Sequence, residues 1–239
     1  MTRDPLKELE RFAEEVSRAS GDNLVSLILY GSAARGDFDP ERSDLNLLMI
    51  LREVTPATLR PLGDAVRNWV RRGQPPPWIF SEAGFRASAD VFPMEIEDMK
   101  EAHRVLRGSS PFGDIKVERT HLRAQLEREA RQKLLQLRAH YAATEADGKA
   151  LSRLVESSFR SFLVVFRALV RVAGEAPPRT PEALVQSASV IAGLDLEAFR
   201  WALDRNAGKK VAPLGPYDPI AARYLEAIEQ LVLHIDRLA

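Results

Sequence analysis

There is no cysteine among the 239 residues. Disulfides, thiolate zinc sites and cysteine nucleophiles are therefore excluded, and nothing in the chain is at odds with a reducing compartment. Net charge is also missing. The 34 Lys and Arg balance the 34 Asp and Glu, so no overall field advertises a nucleic-acid or acidic-membrane surface. Long apolar runs are absent too: the longest, Leu45 to Leu51 and Phe162 to Phe166, fall far short of the roughly 20 residues that a bilayer requires. The opening MTRDPLKELERFAEEV is charged and helical in pattern. It has neither the apolar centre nor the small-residue cleavage site of an export signal, so a soluble cytoplasmic protein is expected.

What is present is enough apolar material, 45% of residues, to build one large core or two modest ones. Three helix starts are punctuated by a capping side chain followed by proline, at Asp4-Pro5, Thr180-Pro181 and Asp218-Pro219. The first predicts a helix with Leu6, Leu9, Ala13 and Val16 on one face, ending near Gly21. Leu24 to Tyr30 and Leu45 to Leu51 read as buried strands. A helix disturbed by Pro61 is expected between Thr55 and Gly73, and Gln74-Pro-Pro-Pro77 interrupts regular structure. Trp78 to Phe80 and Val91 to Met99 are candidate strands, with a short helix over Ser81 to Ala89 between them. From Val117 onward the apolar spacing is helical throughout, with Leu151 to Ala173 apolar around most of its circumference. The expected division is an α/β domain over residues 1–116 and a helical bundle over residues 117–239.

The chemistry concentrates in YGSAARGDFDPERSDLNLLMIL, residues 30–51. A strand that ends in Gly31-Ser32 and turns into a short helix aims backbone N–H groups at one point, and Ser32 adds a hydroxyl, which together make an anion seat. Arg35 and Gly36 follow on the same turn, where a guanidinium reaches a phosphate and glycine permits close backbone approach. No Gly-Lys-Ser/Thr follows, so this is not a Walker A loop. Ser43-Asp44 then leads into the second strand, which puts Asp44 and Asn46 on one face two residues apart, a spacing suited to gripping a divalent cation.

Gly31-Ser32, Arg35-Gly36 and Ser43-Asp44-x-Asn46 ahead of an apolar run resemble the nucleotidyltransferase superfamily of DNA polymerase beta and the aminoglycoside nucleotidyltransferases. The resemblance covers residues 22 to 99. It implies a small mixed sheet, a nucleoside triphosphate substrate, and Mg2+ or Mn2+ held by an Asp-x-Asp pair plus a third carboxylate on a neighbouring strand. Carried onto this chain, Gly31, Ser32, Arg35 and Gly36 hold the nucleotide, while Asp44, Asn46 and a third carboxylate hold the metal and do the catalysis. Glu95, in the middle of the predicted 91–99 strand, is the choice for that third group, with Asp90 as the alternative. Asn46 departs from the pattern, because an amide ligates without bringing charge and a two-ion site then loses one bridging carboxylate.

Two functions follow. One is a nucleotidyltransferase that moves a nucleotidyl group from a nucleoside triphosphate to an acceptor hydroxyl, in a cleft between the two parts. The other is a catalytically impaired module of the same fold that binds a nucleotide or a protein partner. The acceptor stays open among aminoglycoside, protein side chain and nucleic acid, and a homo-oligomer is compatible with either function. Plainer roles exist for the same residues: Arg35 pairs with Asp37 or Asp39, Asp44 and Asn46 close a turn after Asp39-Pro40, and Glu95 sits solvated on an edge strand. The four histidines are scattered without metal-ligand spacing.

Overall fold

A computed structural model of the protein describes residues 5–36 and 44–238. The chain divides into two compact units, Met1–Glu118 and Arg119–Ala239.

In the first unit, α1 (Pro5–Ser20) leads through a 3-10 turn into β1 (Leu24–Tyr30), α2 (Ser32–Arg35), β2 (Asn46–Leu51), α3 (Pro56–Leu59), α4 (Gly63–Arg71), β3 (Trp78–Ser81), α5 (Glu82–Ala87), α6 (Pro93–Glu101) and β4 (His103–Gly108). The strands form one sheet in the order β3-β2-β1-β4. β1 is antiparallel to β2 and β4, and β2 is parallel to β3, so the sheet is mixed. Odd-numbered side chains Leu27, Leu29, Leu47 and Met49 pack with Leu9, Phe12 and Val16 of α1 and Trp69 of α4. Even-numbered Ile28, Leu48 and Ile50 pack with Phe85 of α5 and with Ile96 and Met99 of α6. Burial on both faces explains why β1 and β2 read as near-continuous apolar runs, interrupted only by Ser26 and the leading Asn46, rather than as alternating ones.

The helix expected over 55–73 is split by a 3-10 turn at Arg60–Leu62, where Pro61 has no N–H for the helical ladder. The segment expected as a strand, Val91 to Met99, is corrected by the structure: residues 93–101 form α6. Pro93 takes the first helical position, which its fixed φ suits. Pro93, Ile96 and Met99 are buried at a spacing of three, and Lys100 donates to Glu97 Oε1 at 2.8 Å one helical turn away. The strand that sequence reading missed is β4, whose half-exposed pattern and two arginines mask its role at the sheet edge.

The second unit is helical: α7 (Arg119–Thr144), α8 (Gly148–Val172), α9 (Pro181–Ala192), α10 (Arg200–Asn206) and α11 (Pro219–Asp236), with a 3-10 turn at Leu196–Phe199. α8 runs through its core, with Leu151, Phe159, Phe162, Val165, Phe166 and Leu169 all at 0% exposure. Phe199 meets both Phe166 and Tyr224 edge-on, with ring centroids 5.5 and 5.8 Å apart. The Tyr224 hydroxyl, 3.0 Å from Ser158 Oγ, is pushed well above the usual phenol pKa by complete burial, a rise that the Ser158 bond partly offsets. Thr180 and Asp218 cap α9 and α11 as expected. The cap expected at Asp4 lies outside the described residues. An α/β unit with a small mixed sheet followed by an all-helical unit is thus the architecture.

Candidate active site

Tyr30 is the last residue of β1 and stands opposite Asn46, the first residue of β2. Both carry even numbers, so both side chains belong to the face covered by α6. Just beyond Tyr30 the chain turns at Gly31, with φ +82° and ψ −151°, a backbone region essentially closed to side-chain-bearing residues. A Cβ on Gly31 would stand 3.4 Å from Asn46 Nδ2, so the turn and the head of β2 adjoin. The amides of Ala34 and Arg35 fold back onto the Gly31 carbonyl at 3.0 and 3.1 Å. The earlier amides, Ser32 and Ala33, have no acceptor within this single helical turn. Gly36 ends the turn in the left-handed conformation.

Asp44 is exposed and precedes β2 rather than lying in it, and Leu45 beside it is fully buried with its amide bonded to Gln74 Oε1 at 2.9 Å. Ser43, the Asp39-Pro40 bend and the Asp37 and Asp39 partners foreseen for Arg35 lie outside the described residues. Glu95 is not in a strand: it occupies the first turn of α6. Its charge is nevertheless felt at this end of the sheet. The Tyr30 phenol is pushed up to about 12, first by burial and second by the negative charge of Glu95. Asp90 sits exposed in a turn before α6.

Arg35 departs most from expectation. Its side chain is only 13% exposed and lies 3.8 Å from Asp98 and 4.0 Å from Glu101, both on α6. Among the described residues Nε and Nη2 are buried without a hydrogen-bond partner, since neither separation is short enough for one. The guanidinium therefore ties α2 to α6 by charge and is largely enclosed. Asp98 and Glu101 were missed as its partners because the pairing spans more than 60 residues and depends on a helix that was read as a strand.

The resemblance calls for a third carboxylate on a neighbouring strand. The strand expected to carry it, 91–99, is the helix α6, and the strand that does pair with β2 on that side, β3, presents Trp78 and Phe80 in register with Leu48 and Ile50. Trp78 instead packs against Tyr30 and Phe92, with ring centroids 6.5 and 5.2 Å apart. Among the described residues no three His, Cys, Asp or Glu are grouped to hold a metal ion. The donor set at the head of β2, one carboxylate from Asp44 and one neutral amide oxygen from Asn46, is a carboxylate short of what a pair of divalent cations would share.

A sequence model of the nucleotidyltransferase domain matches residues 9–142, more than half of the chain. The chain belongs to the nucleotidyltransferase domain family. Its fold is also similar to the crystal structure of spectinomycin adenyltransferase AAD(9) from Enterococcus faecialis with ATP and spectinomycin. That likeness has a TM-score of 0.60 at 11% sequence identity and covers 97% of this chain and 99% of that one. No curated protein matches this nucleotidyltransferase-family chain in sequence. No helix among the described residues is long and apolar enough to cross a membrane.

Proposed function

We propose that the protein binds a nucleoside triphosphate at the Gly31 turn and transfers its nucleotidyl group to an acceptor hydroxyl, releasing pyrophosphate. The observation that supports this best is that the Gly31 turn adjoins the head of β2, where a Cβ on Gly31 would meet the Asn46 amide at 3.4 Å; in this reading an anion seat and the ligands of a cation would be neighbours. In this reading the Ser32 and Ala33 amides and the Ser32 hydroxyl hold the phosphate tail, with Gly31 and Gly36 permitting its close approach. Asp44 and Asn46 would hold one Mg2+ or Mn2+, which when bound neutralises triphosphate charge. Glu95, close enough to raise the Tyr30 pKa, takes the proton of the acceptor hydroxyl. Arg35 contributes by fixing α2 against α6, so that the turn keeps its shape. ATP is the first donor to test and spectinomycin the first acceptor, because a protein of this fold is a spectinomycin adenyltransferase solved with both.

A second reading is favoured by three features together: Asn46 in place of a carboxylate, the aromatic Trp78 and Phe80 on β3, and the enclosure of Arg35. It holds that the site keeps nucleotide binding and has lost turnover. One assay separates the two. The chain is incubated with radiolabelled ATP, GTP, CTP and UTP, with Mg2+ or Mn2+ and a panel of hydroxyl acceptors, beside Asp44→Ala and Asn46→Asp. Turnover that disappears in Asp44→Ala establishes the transferase. An inert parent whose Asn46→Asp variant gains turnover establishes the impaired site. Absence of nucleotide binding in all three, measured by calorimetry, overturns both readings.

A further inference from the structure

Within the helical unit, α7 and α11 lie side by side and form an open groove. On α7, Arg131, Leu135 and Arg138 stand at spacings of four and three and share one helix face. On α11, Glu229, Leu233 and Asp236 repeat the pattern with acids in place of arginines. The helices run in opposite directions, because Arg131 Nη2 is 2.6 Å from Asp236 Oδ1 while Arg138 Nε is 2.8 Å from Glu229 Oε1. Between these two ionic rungs the groove encloses about 310 Å³. Its floor is the buried Leu134 and Val232, and its walls are Leu135 and Leu233, 60% and 53% exposed. Two exposed leucines over an apolar hollow, bounded above and below by charge, have the layout of an interface with an apolar centre and a polar rim.

We propose that a second copy of the chain docks on this groove, about a two-fold axis that runs along it. Such an axis keeps every residue at its own height and exchanges α7 for α11. The basic face of α7 then meets the acidic face of the partner's α11, and the converse contact forms at the same time. Arg131 stands level with Asp236 of the partner subunit, Arg138 with Glu229 of the partner subunit, and Leu135 with Leu233 of the partner subunit. Four helices enclose the leucines, and each rung becomes a ring of two arginines and two carboxylates. A two-fold axis across the groove instead of along it sets α7 on α7 and arginine on arginine, an arrangement that like-charge repulsion disfavours. The surface is thus complementary to itself in one register, which is why the occupant is this same chain rather than a partner of single-signed charge.

The test is the mass of the full chain in solution, by sedimentation and light scattering over a concentration series. Expected is twice the 26.7 kDa of the single chain, with Leu135→Asp and Leu233→Asp each weakening association by about 100-fold and leaving the far-ultraviolet circular dichroism unchanged. The double variants Arg131→Glu/Arg138→Glu and Glu229→Arg/Asp236→Arg are expected to be monomeric alone and to form a mixed dimer when combined. A parent that stays at 26.7 kDa up to about 100 µM overturns the proposal. So does a dimer that persists in both leucine variants, or folded charge variants that fail to recombine. Should the charge variants lose their helical signal, the two leucine variants decide the matter alone, since both side chains are exposed in the single chain.

Discussion

Individual side chains at the Gly31 turn carry the sharpest expectations. Gly31→Ala places a Cβ where φ is +82° and the nearest atom is Asn46 Nδ2 at 3.4 Å. The conformational strain is expected to cost about 1–3 kcal/mol, read as a lowered urea midpoint, and to weaken triphosphate binding in calorimetry. Tyr30 offers a second measurement. Its folded pKa of about 12 lies above the unfolded value of 10.0, so the folded protein retains this proton where the unfolded chain has released it. The stabilisation is therefore whole below pH 10 and is lost as the pH rises from 10 towards 12. Ultraviolet titration should find one tyrosine ionising near the upper end of that window. Glu95→Gln should move it downward, by less than the burial contribution, because burial is the larger cause. An unmoved transition would place Glu95 away from the sheet end and remove it from the candidate site.

Secondary elements depend on a few local devices. Asp147 caps α8 by accepting from the amides of Lys149 and Ala150 at 2.9 and 3.1 Å, and α8 carries the core of the helical unit. Asp147→Ala should cost about 1 kcal/mol, and Asp147→Asn much less, since an amide oxygen caps nearly as well. Thermal melts of the two variants side by side check this. At the sheet edge, β4 ends at Gly108 with φ +76°, and a Cβ there would fall 1.9 Å from the Val25 carbonyl oxygen. Since that neighbour is backbone and cannot swing aside, Gly108→Ala should destabilise the chain by about 3 kcal/mol or more, measured by chemical denaturation. The legibility of these elements from sequence follows the same logic. β1 and β2 were legible because burial on both faces leaves near-continuous apolar runs. α6 was not, because Val91, Phe92, Met94 and Ile96 mimic a strand until Pro93 is placed at the first helical position. β4 was invisible because an edge strand with Arg104 and Arg107 needs no apolar pattern.

Across the whole molecule, charge is balanced: formal net charge is zero and the isoelectric point is about 6.9. Without net repulsion between copies, precipitation by polyethylene glycol should be easiest near pH 7 and harder on either side, as protonation or deprotonation restores like charge. Solubility that rises through neutrality would point to charge hidden in contacts between copies. The cancellation also has local structure. The arginines of α7 and the carboxylates of α11 separate the two signs onto neighbouring helices, a segregation that totals cannot reveal and that the proposed self-association uses.

Sequence by itself determined the strand-glycine turn at Tyr30-Gly31-Ser32, the strand that begins at Asn46, and the change from mixed to helical architecture. Each of these is written in neighbouring residues, through periodicity, turn chemistry and capping. Only the tertiary structure decided that Arg35 is drawn to Asp98 and Glu101, that Trp78 and Phe80 stand in register with Leu48 and Ile50, and that Glu95 sits on a helix rather than a strand. Those outcomes join residues far apart in the chain, and which of them meet is set by how helices close over a sheet, a choice that no local pattern encodes.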